Sequence, residues 1–301
     1  MRWVSLHHHN TMSFMDGHGL VAEHFALMAE YGYQAGGVTD HGNTSAHPQA
    51  EKAGNKYGVK PIFGLEAYTA PNLQSRRKYH MTILAMDAAG YRSLMRIVSE
   101  SWQNFYQYPT VTGDILARNS EGIIVLSGCS DSLLSCSLLG GKDIDPADAS
   151  YERAYNLAGN MKELLGDRYY LETQVFPEFE RSRNINAAFE RMGQALGIKL
   201  CSTADVHTLR EGDHEIRAVL HAAGRGNANI AQQLSSWEYE VPDYIPPSDN
   251  WVWDRLNRAG LSVQGVEEAF YTTEEVASRC NVTLPKADRL RFPGKRKEVI
   301  W

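Results

Sequence analysis

Nine side chains able to hold a metal ion are spread over seven short segments of the chain. They are His7 and His9 in LHHHN, Asp16 in MDGHG, His41 in VTDHG, Glu66 in GLEAY, His80 in KYHMT, Cys129 in SGCSD, and Asp205 with His207 in ADVHT. His7 and His9 lie two apart in a strand-like run, so both rings point to one face and can chelate one ion. His8 then faces the other way and reads as a packing histidine, while Asp205 and His207 repeat the chelating spacing. The two oxygens of Glu66 can bridge two cations, Asp40 can orient or charge-balance the ring of His41 beside it, and the thiolate of Cys129 suits zinc best. Taken singly, Asp16 reads better as a turn residue, Glu66 as a solvated strand end, His80 as an edge histidine and Cys129 as buried filler. Their joint placement at the ends of successive strand-like runs points instead to one shared metal cluster.

Residues so far apart act together only if the fold gathers them. Apolar, β-rich runs occur at about residues 3–9, 35–40, 59–68, 79–86, 122–129, 168–176 and 199–205. Helical spacing predicts helices over about 19–31, 46–57, 88–102, 147–165 and 181–196, with a shorter one after Gly212. Strand alternating with helix implies a parallel sheet, open or closed, and a parallel barrel collects its strand ends at one mouth. From Gly224 the chain changes character. GRGNANIAQQ is polar and VPDYIPPSDN is proline-rich, which predicts a loop-rich extension over 224–301 following a barrel over 1–223. Within that extension TTEEVASRC opens like a capping box and predicts a final helix, and PGKRKEVIW reads as a frayed or linking tail.

The 301 residues are 43% hydrophobic, enough for a full α/β core, and the formal net charge of −6 argues against a large basic surface for nucleic acid. It leaves room for a nucleic-acid enzyme whose bound cations supply positive charge. Four cysteines without C-x-x-C spacing argue against a disulfide scaffold. The start MRWVSL lacks a signal-peptide apolar region and no stretch reaches membrane-spanning length, so a soluble cytoplasmic protein without a membrane partner is expected.

LHHHNTMSFMDG, GVTDHGN, PIFGLEAY, HMTILAMDAAGYRSLMRI, GIIVLSGCSDSLL, YYLETQ and STADVHTL together resemble the polymerase and histidinol phosphatase (PHP) superfamily. The resemblance is nearest to the PHP domain at the N-terminus of bacterial DNA polymerase III alpha subunits. It follows the family's order over about residues 3–220, with weaker similarity at TTEEVASRCNVTLP. It implies a distorted (β/α)7 TIM-like barrel, the PHP fold, with three divalent ions (zinc, manganese or iron) at its mouth. Carried over by position, His7, His9, Glu66 and Asp205 would hold the first ion and form the catalytic set, acting through metal-bound hydroxide. Glu66, His80 and Cys129 would hold the second, and Asp16, His41 and His207 the third.

The activity implied is 3′ to 5′ exonucleolytic hydrolysis at a single-stranded or frayed DNA 3′ end. Arg76, Arg77 and Lys78 are candidate phosphate contacts. The sequence ends before any polymerase palm, fingers or thumb, so a separate replicative polymerase is the expected protein partner. Two alternatives remain: a phosphomonoesterase of the histidinol-phosphatase type, and a non-catalytic, metal-stabilised module docking on a separate polymerase. TDHGN and SGCSD favour the polymerase branch, and an intact ligand set favours catalysis.

Overall fold

Six of the seven β-rich runs are strands in the computed structural model, which describes residues 1–141, 143–224 and 241–286. They are β1 (Ala35–Val38), β2 (Lys60–Thr69), β3 (Tyr79–Ala85), β4 (Ile123–Leu126), β5 (Tyr169–Gln174) and β6 (Leu200–Thr203), hydrogen-bonded in that order. The seventh run, residues 3–9, is no continuous strand. It pairs through single bridges, Ser5 with Gly36 of β1 and His8 with Val206 just beyond β6. Gly37 N–H donates to Ser5 O at 2.6 Å and His9 N–H to Val206 O at 2.7 Å, so this segment joins the two ends of the sheet and curls it. The fold is α/β and TIM-like.

The expectation of a wholly parallel sheet is corrected at β3, which runs antiparallel to both β2 and β4. Residues 70–78 between β2 and β3 carry no helix. A parallel return needs a crossover of about a dozen residues or more, so the chain can only turn straight back. Reversal puts the start of β3 at the rim where the other strands end. His80, near that start, therefore reaches the mouth.

The helices are α1 (Val21–Glu30), α2 (His47–Tyr57), α3 (Ala88–Gln103), α4 (Gly113–Arg118), α5 (Leu133–Leu139), α6 (Tyr151–Leu165), α7 (Glu180–Leu196), α8 (His214–Gly224), α9 (Asp249–Arg258) and α10 (Val263–Arg279). Asp87, Ser150, Ser248 and Ser262 accept a first-turn N–H and fix the starts of α3, α6, α9 and α10. Residues 241–286, expected to be loop-rich with one final helix, thus hold two helices. The final helix begins at Val263, not at the Thr-Thr-Glu-Glu box: Ser262 caps it, and the buried face of Val266, Ala269, Phe270, Val276 and Ala277 runs through that box. Most of GRGNANIAQQ and all of PGKRKEVIW lie outside the described residues. Among the described residues no helix is long and apolar enough to cross a membrane, and all four cysteines are free.

Period-2 alternation sorts the strands into two faces. Outward residues such as Phe63, Leu65, Ile83, Val125 and Leu171 pack in the layers beneath the helices. Inward, Leu6, Ile62, Leu84, Ile124, Leu126, Tyr170 and Cys201 meet Val276 and Ala277 of α10, and Cys280 just after it, in a buried floor. Each such aliphatic side chain stabilises the fold by about 2 kcal/mol. The same inward phase continues toward the rim as Gly64–Glu66–Tyr68 on β2, Thr82–His80 on β3, Glu172–Gln174 on β5 and Thr203–Asp205 at β6. Register seals the arrangement, with Glu66 opposite Thr82 and Tyr68 opposite His80.

Candidate metal centre

All nine candidate ligands converge at that rim. His7 Nε2 lies 3.1 Å from Glu66 Oε1 and 3.2 Å from Asp205 Oδ1, and His9 Nε2 lies 3.4 Å from Glu66 Oε2 and 3.6 Å from Asp205 Oδ1. Donors about 2.0–2.1 Å from a tetrahedral ion stand roughly 3.3–3.4 Å apart, so these four side chains already have the spacing of a coordination shell. Around the second position His80 Nδ1 lies 3.2 Å from Glu66 Oε1 and 3.7 Å from Cys129 Sγ. At the third, Asp16 Oδ2 faces His41 Nε2 at 2.9 Å and His207 Nε2 at 3.4 Å. His9 stacks between His41 and His207, with ring centroids 4.4 and 4.2 Å away.

The strongest sign that ions belong here is what the side chains lack. Among the described residues eight buried side-chain atoms have no hydrogen-bond partner, and all but Thr173 Oγ1 are in this cluster: His7 Nε2, His9 Nε2, His41 Nδ1, both Glu66 oxygens, Asp205 Oδ1 and His207 Nε2. His41 Nδ1 and Glu66 Oε2 are 2.6 Å apart without the alignment of a hydrogen bond. Each stranded buried group costs about 1–3 kcal/mol. Cations are the partners that imidazoles, carboxylates and a thiol would share.

Behind the ligands, hydrogen bonds fix which ring nitrogen faces inward. His7 Nδ1 donates to Glu172 Oε1 at 2.7 Å, leaving Nε2 for the centre. Glu172 also accepts from Thr203 Oγ1 at 2.7 Å and Gly128 N at 3.0 Å. His9 Nδ1 donates to Ser13 Oγ at 2.8 Å, and Ser13 in turn donates to Asp40 Oδ1 at 2.7 Å. Asp40 therefore acts through Ser13 on His9, whereas the sequence suggested the adjacent His41. His207 Nδ1 donates to Asp205 O at 2.8 Å. His8 points away and meets His24 Nδ1 at 2.8 Å.

Charge within the centre is finely opposed. Burial disfavours the imidazolium of His7, yet Asp205, Glu66 and Glu172 hold its pKa well above the usual range. Burial, with His207 and His41 close by, pushes His9 well below it. Asp16, although buried, is held far below the ordinary carboxylate range by Arg217 and His207. Burial, then Asp205 and Glu66, push the Cys129 thiol well above its usual value. A thiolate there needs a cation beside it.

Several contributors were not singled out from sequence. Glu172 sits in YYLETQ, where the inward phase of β5 could have revealed it. Arg217 and His221, four apart on α8, both reach Asp16: Arg217 Nε donates to Oδ1 at 2.8 Å and His221 Nε2 approaches it to 2.6 Å. Arg217 also donates to Asp243 Oδ2 at 2.8 Å. Arg217, His221 and Asp243, with Ser130, Gln174, Phe176 and Phe179, line the cleft above the cluster. Arg76, Arg77 and Lys78 do not line it; Arg77 pairs with Asp143 at 3.2 Å and Lys78 donates to Ser75 O at 2.7 Å.

Known proteins resemble the chain in sequence and in fold. The DNA polymerase III alpha subunit of Thermus aquaticus is 27% identical over 312 residues, covering 97% of this chain and 24% of the relative. That of Deinococcus radiodurans is 28% identical over 307 residues, covering 97% and 22%, and that of Chlamydia trachomatis 28% over 314 residues, covering 94% and 25%. The chain spans about a quarter of the length of these curated relatives. Among solved structures, similarity extends to a two-domain Bacteroides vulgatus protein containing a predicted PHP-like metal-dependent phosphoesterase, with 12% identity, TM-score 0.41, and coverage of 90% of this chain and 63% of that one. It also extends to histidinol phosphate phosphatase of Lactococcus lactis, with 13% identity, TM-score 0.35, and coverage of 75% and 94%. The sequence profile of the PHP domain matches residues 5–175. A match over more than half of its length places the chain in the PHP domain family.

Proposed function

We propose that the chain is a metal-dependent phosphodiesterase that removes nucleotides from a single-stranded or frayed DNA 3′ end. The reading is supported above all by the seven partnerless donor atoms facing one another at the rim. Similarity to replicative polymerase subunits directs it toward DNA. His7, His9, Glu66 and Asp205 would hold one divalent ion, Glu66, His80 and Cys129 a second, and Asp16, His41 and His207 a third, with zinc, manganese and iron all suited to these donors. When bound, such ions activate water for attack and neutralise phosphate charge.

The chain's own residues supply the rest. Glu172 and the Ser13–Asp40 pair hold His7 and His9 with Nε2 inward. Arg217 offsets the negative charge of Asp16 and Asp243, and Phe176 and Phe179 give the cleft an apolar wall. A replicative polymerase would supply the 3′ ends.

The test uses 3′-labelled and 5′-labelled single strands with chelator-treated protein reloaded with Mn²⁺ or Zn²⁺. The 5′ label should appear on a ladder shortening one nucleotide at a time, and chelator should abolish it. Internal cuts would contradict the exonuclease reading. So would phosphate release from histidinol phosphate with DNA untouched.

A further inference from the structure

Four of the exposed large apolar side chains, Trp102, Phe105, Tyr106 and Tyr108, fall within residues 102–108, with 45–61% of each open to solvent. The segment leaves the end of α3 and lies beside the metal centre. Trp102 Nε1 donates to the carbonyl of Gly42, next to His41, at 2.8 Å. Tyr68 stacks on His41 at 5.4 Å and 18°, and Tyr108 packs on Tyr68 at 4.6 Å. A line of rings therefore runs from the candidate ligand His41 through Tyr68 to Tyr108 at the surface, and in the same segment Trp102 and Phe105 stack almost parallel, 5.2 Å apart at 6°.

The segment is held in this shape. Thr110 N–H bonds to Ser101 O at 3.1 Å, and Val111 N–H bonds to Tyr68 O at 2.9 Å, tying its far end to α3 and β2. Gln107 adopts a left-handed φ of 61°, uncommon for a residue with a Cβ, between Tyr106 and Tyr108, which bridge each other. Rings exposed on a pinned backbone are poor core and good stacking surface.

We propose that Trp102, Phe105, Tyr106 and Tyr108 form a platform on which the unpaired bases of a single-stranded nucleic acid stack as its end enters the metal centre. The choice of ligand rests on the phosphodiesterase reading above. A net charge of −6 gives little general attraction for phosphates, so stacking, which every base offers, has to supply much of the grip. Continuity of the rings with His41 through Tyr68 sets the direction of the strand.

Binding is read by fluorescence anisotropy in chelator, where no cleavage occurs, with an oligothymidylate of about ten nucleotides and an abasic strand of equal length. The wild-type protein should prefer the base-bearing strand by about tenfold or more, since each stacked base contributes roughly 5- to 150-fold. Phe105→Ala with Tyr106→Ala should remove most of that preference, and Phe105→Trp with Tyr106→Phe should restore it. Equal affinity for both strands, or a preference untouched by the alanine pair, overturns the proposal and marks the patch as a protein contact. Hydrolysis of bis(p-nitrophenyl) phosphate with Mn²⁺ by wild-type protein reads the catalytic centre separately. Hydrolysis without base preference defeats the platform alone; base preference without hydrolysis upholds the platform and defeats the catalytic reading.

Discussion

Asp205→Asn is expected to lower DNA hydrolysis by about 10²–10³-fold, the usual loss when one charge-stabilising group is removed from a catalytic centre. The carboxylate stands within 3.2–3.7 Å of His7, His9 and His207, and His7 and His207 keep it ionised against its burial. Asparagine keeps the shape and removes the charge that an ion would need. It is also the safest replacement for the backbone, because Asp205 has a left-handed φ of 44°, a conformation that Asn and Asp accept more readily than other side chains. Thermal or urea unfolding should therefore change by no more than about 1 kcal/mol. Unaltered turnover in the folded variant would remove Asp205 from the catalytic set.

Glu172→Ala should damage stability as well as metal binding. Its carboxylate accepts from His7 Nδ1, Thr203 Oγ1, Gly128 N and, at 3.3 Å, Thr82 Oγ1, all buried. Alanine strands those donors, each at about 1–3 kcal/mol, and leaves His7 unbraced between Glu66 and Asp205. A loss of about 3–5 kcal/mol in chelator is expected, as for breaking a buried charged pair. Metal affinity should fall about 10–100-fold, the usual effect of deleting a carboxylate behind a liganding histidine. Urea unfolding with chelator and with saturating Zn²⁺ separates the two effects. Unchanged unfolding in chelator together with unchanged affinity would show that Glu172 neither supports the fold nor orients His7.

The gathering of the candidate ligands at strand ends was legible because each follows or closes a β-rich run that is visible locally, as at His7 and His9 or Asp205 and His207, without any tertiary knowledge. The longer helices were legible from local periodicity, whereas the short Gly113–Arg118 and Leu133–Leu139, and Asp249–Arg258 in the proline-rich stretch, were not. Pairing partners are not local. Nothing within residues 79–86 states that β3 returns antiparallel; only the shortness of 70–78, weighed against the span of a crossover, would have shown it, and with it why His80 opens its strand yet reaches the rim. Residues 3–9 have strand composition but share their hydrogen bonds between β1 and the end of β6, so they close the sheet by isolated bridges. Glu172 was hidden because a lone acid in YYLETQ looks like any strand polar residue until the inward phase of β5 is known. Arg217 and His221 were hidden because their target, Asp16, lies two hundred residues away along the chain.

Elemental analysis of chelator-stripped protein, reloaded with Zn²⁺ or Mn²⁺ and freed of excess by gel filtration, asks whether distant imidazoles, carboxylates and a thiol serve a common set of ions. A metal-to-protein ratio approaching three is predicted. A ratio near zero in correctly folded protein would contradict it.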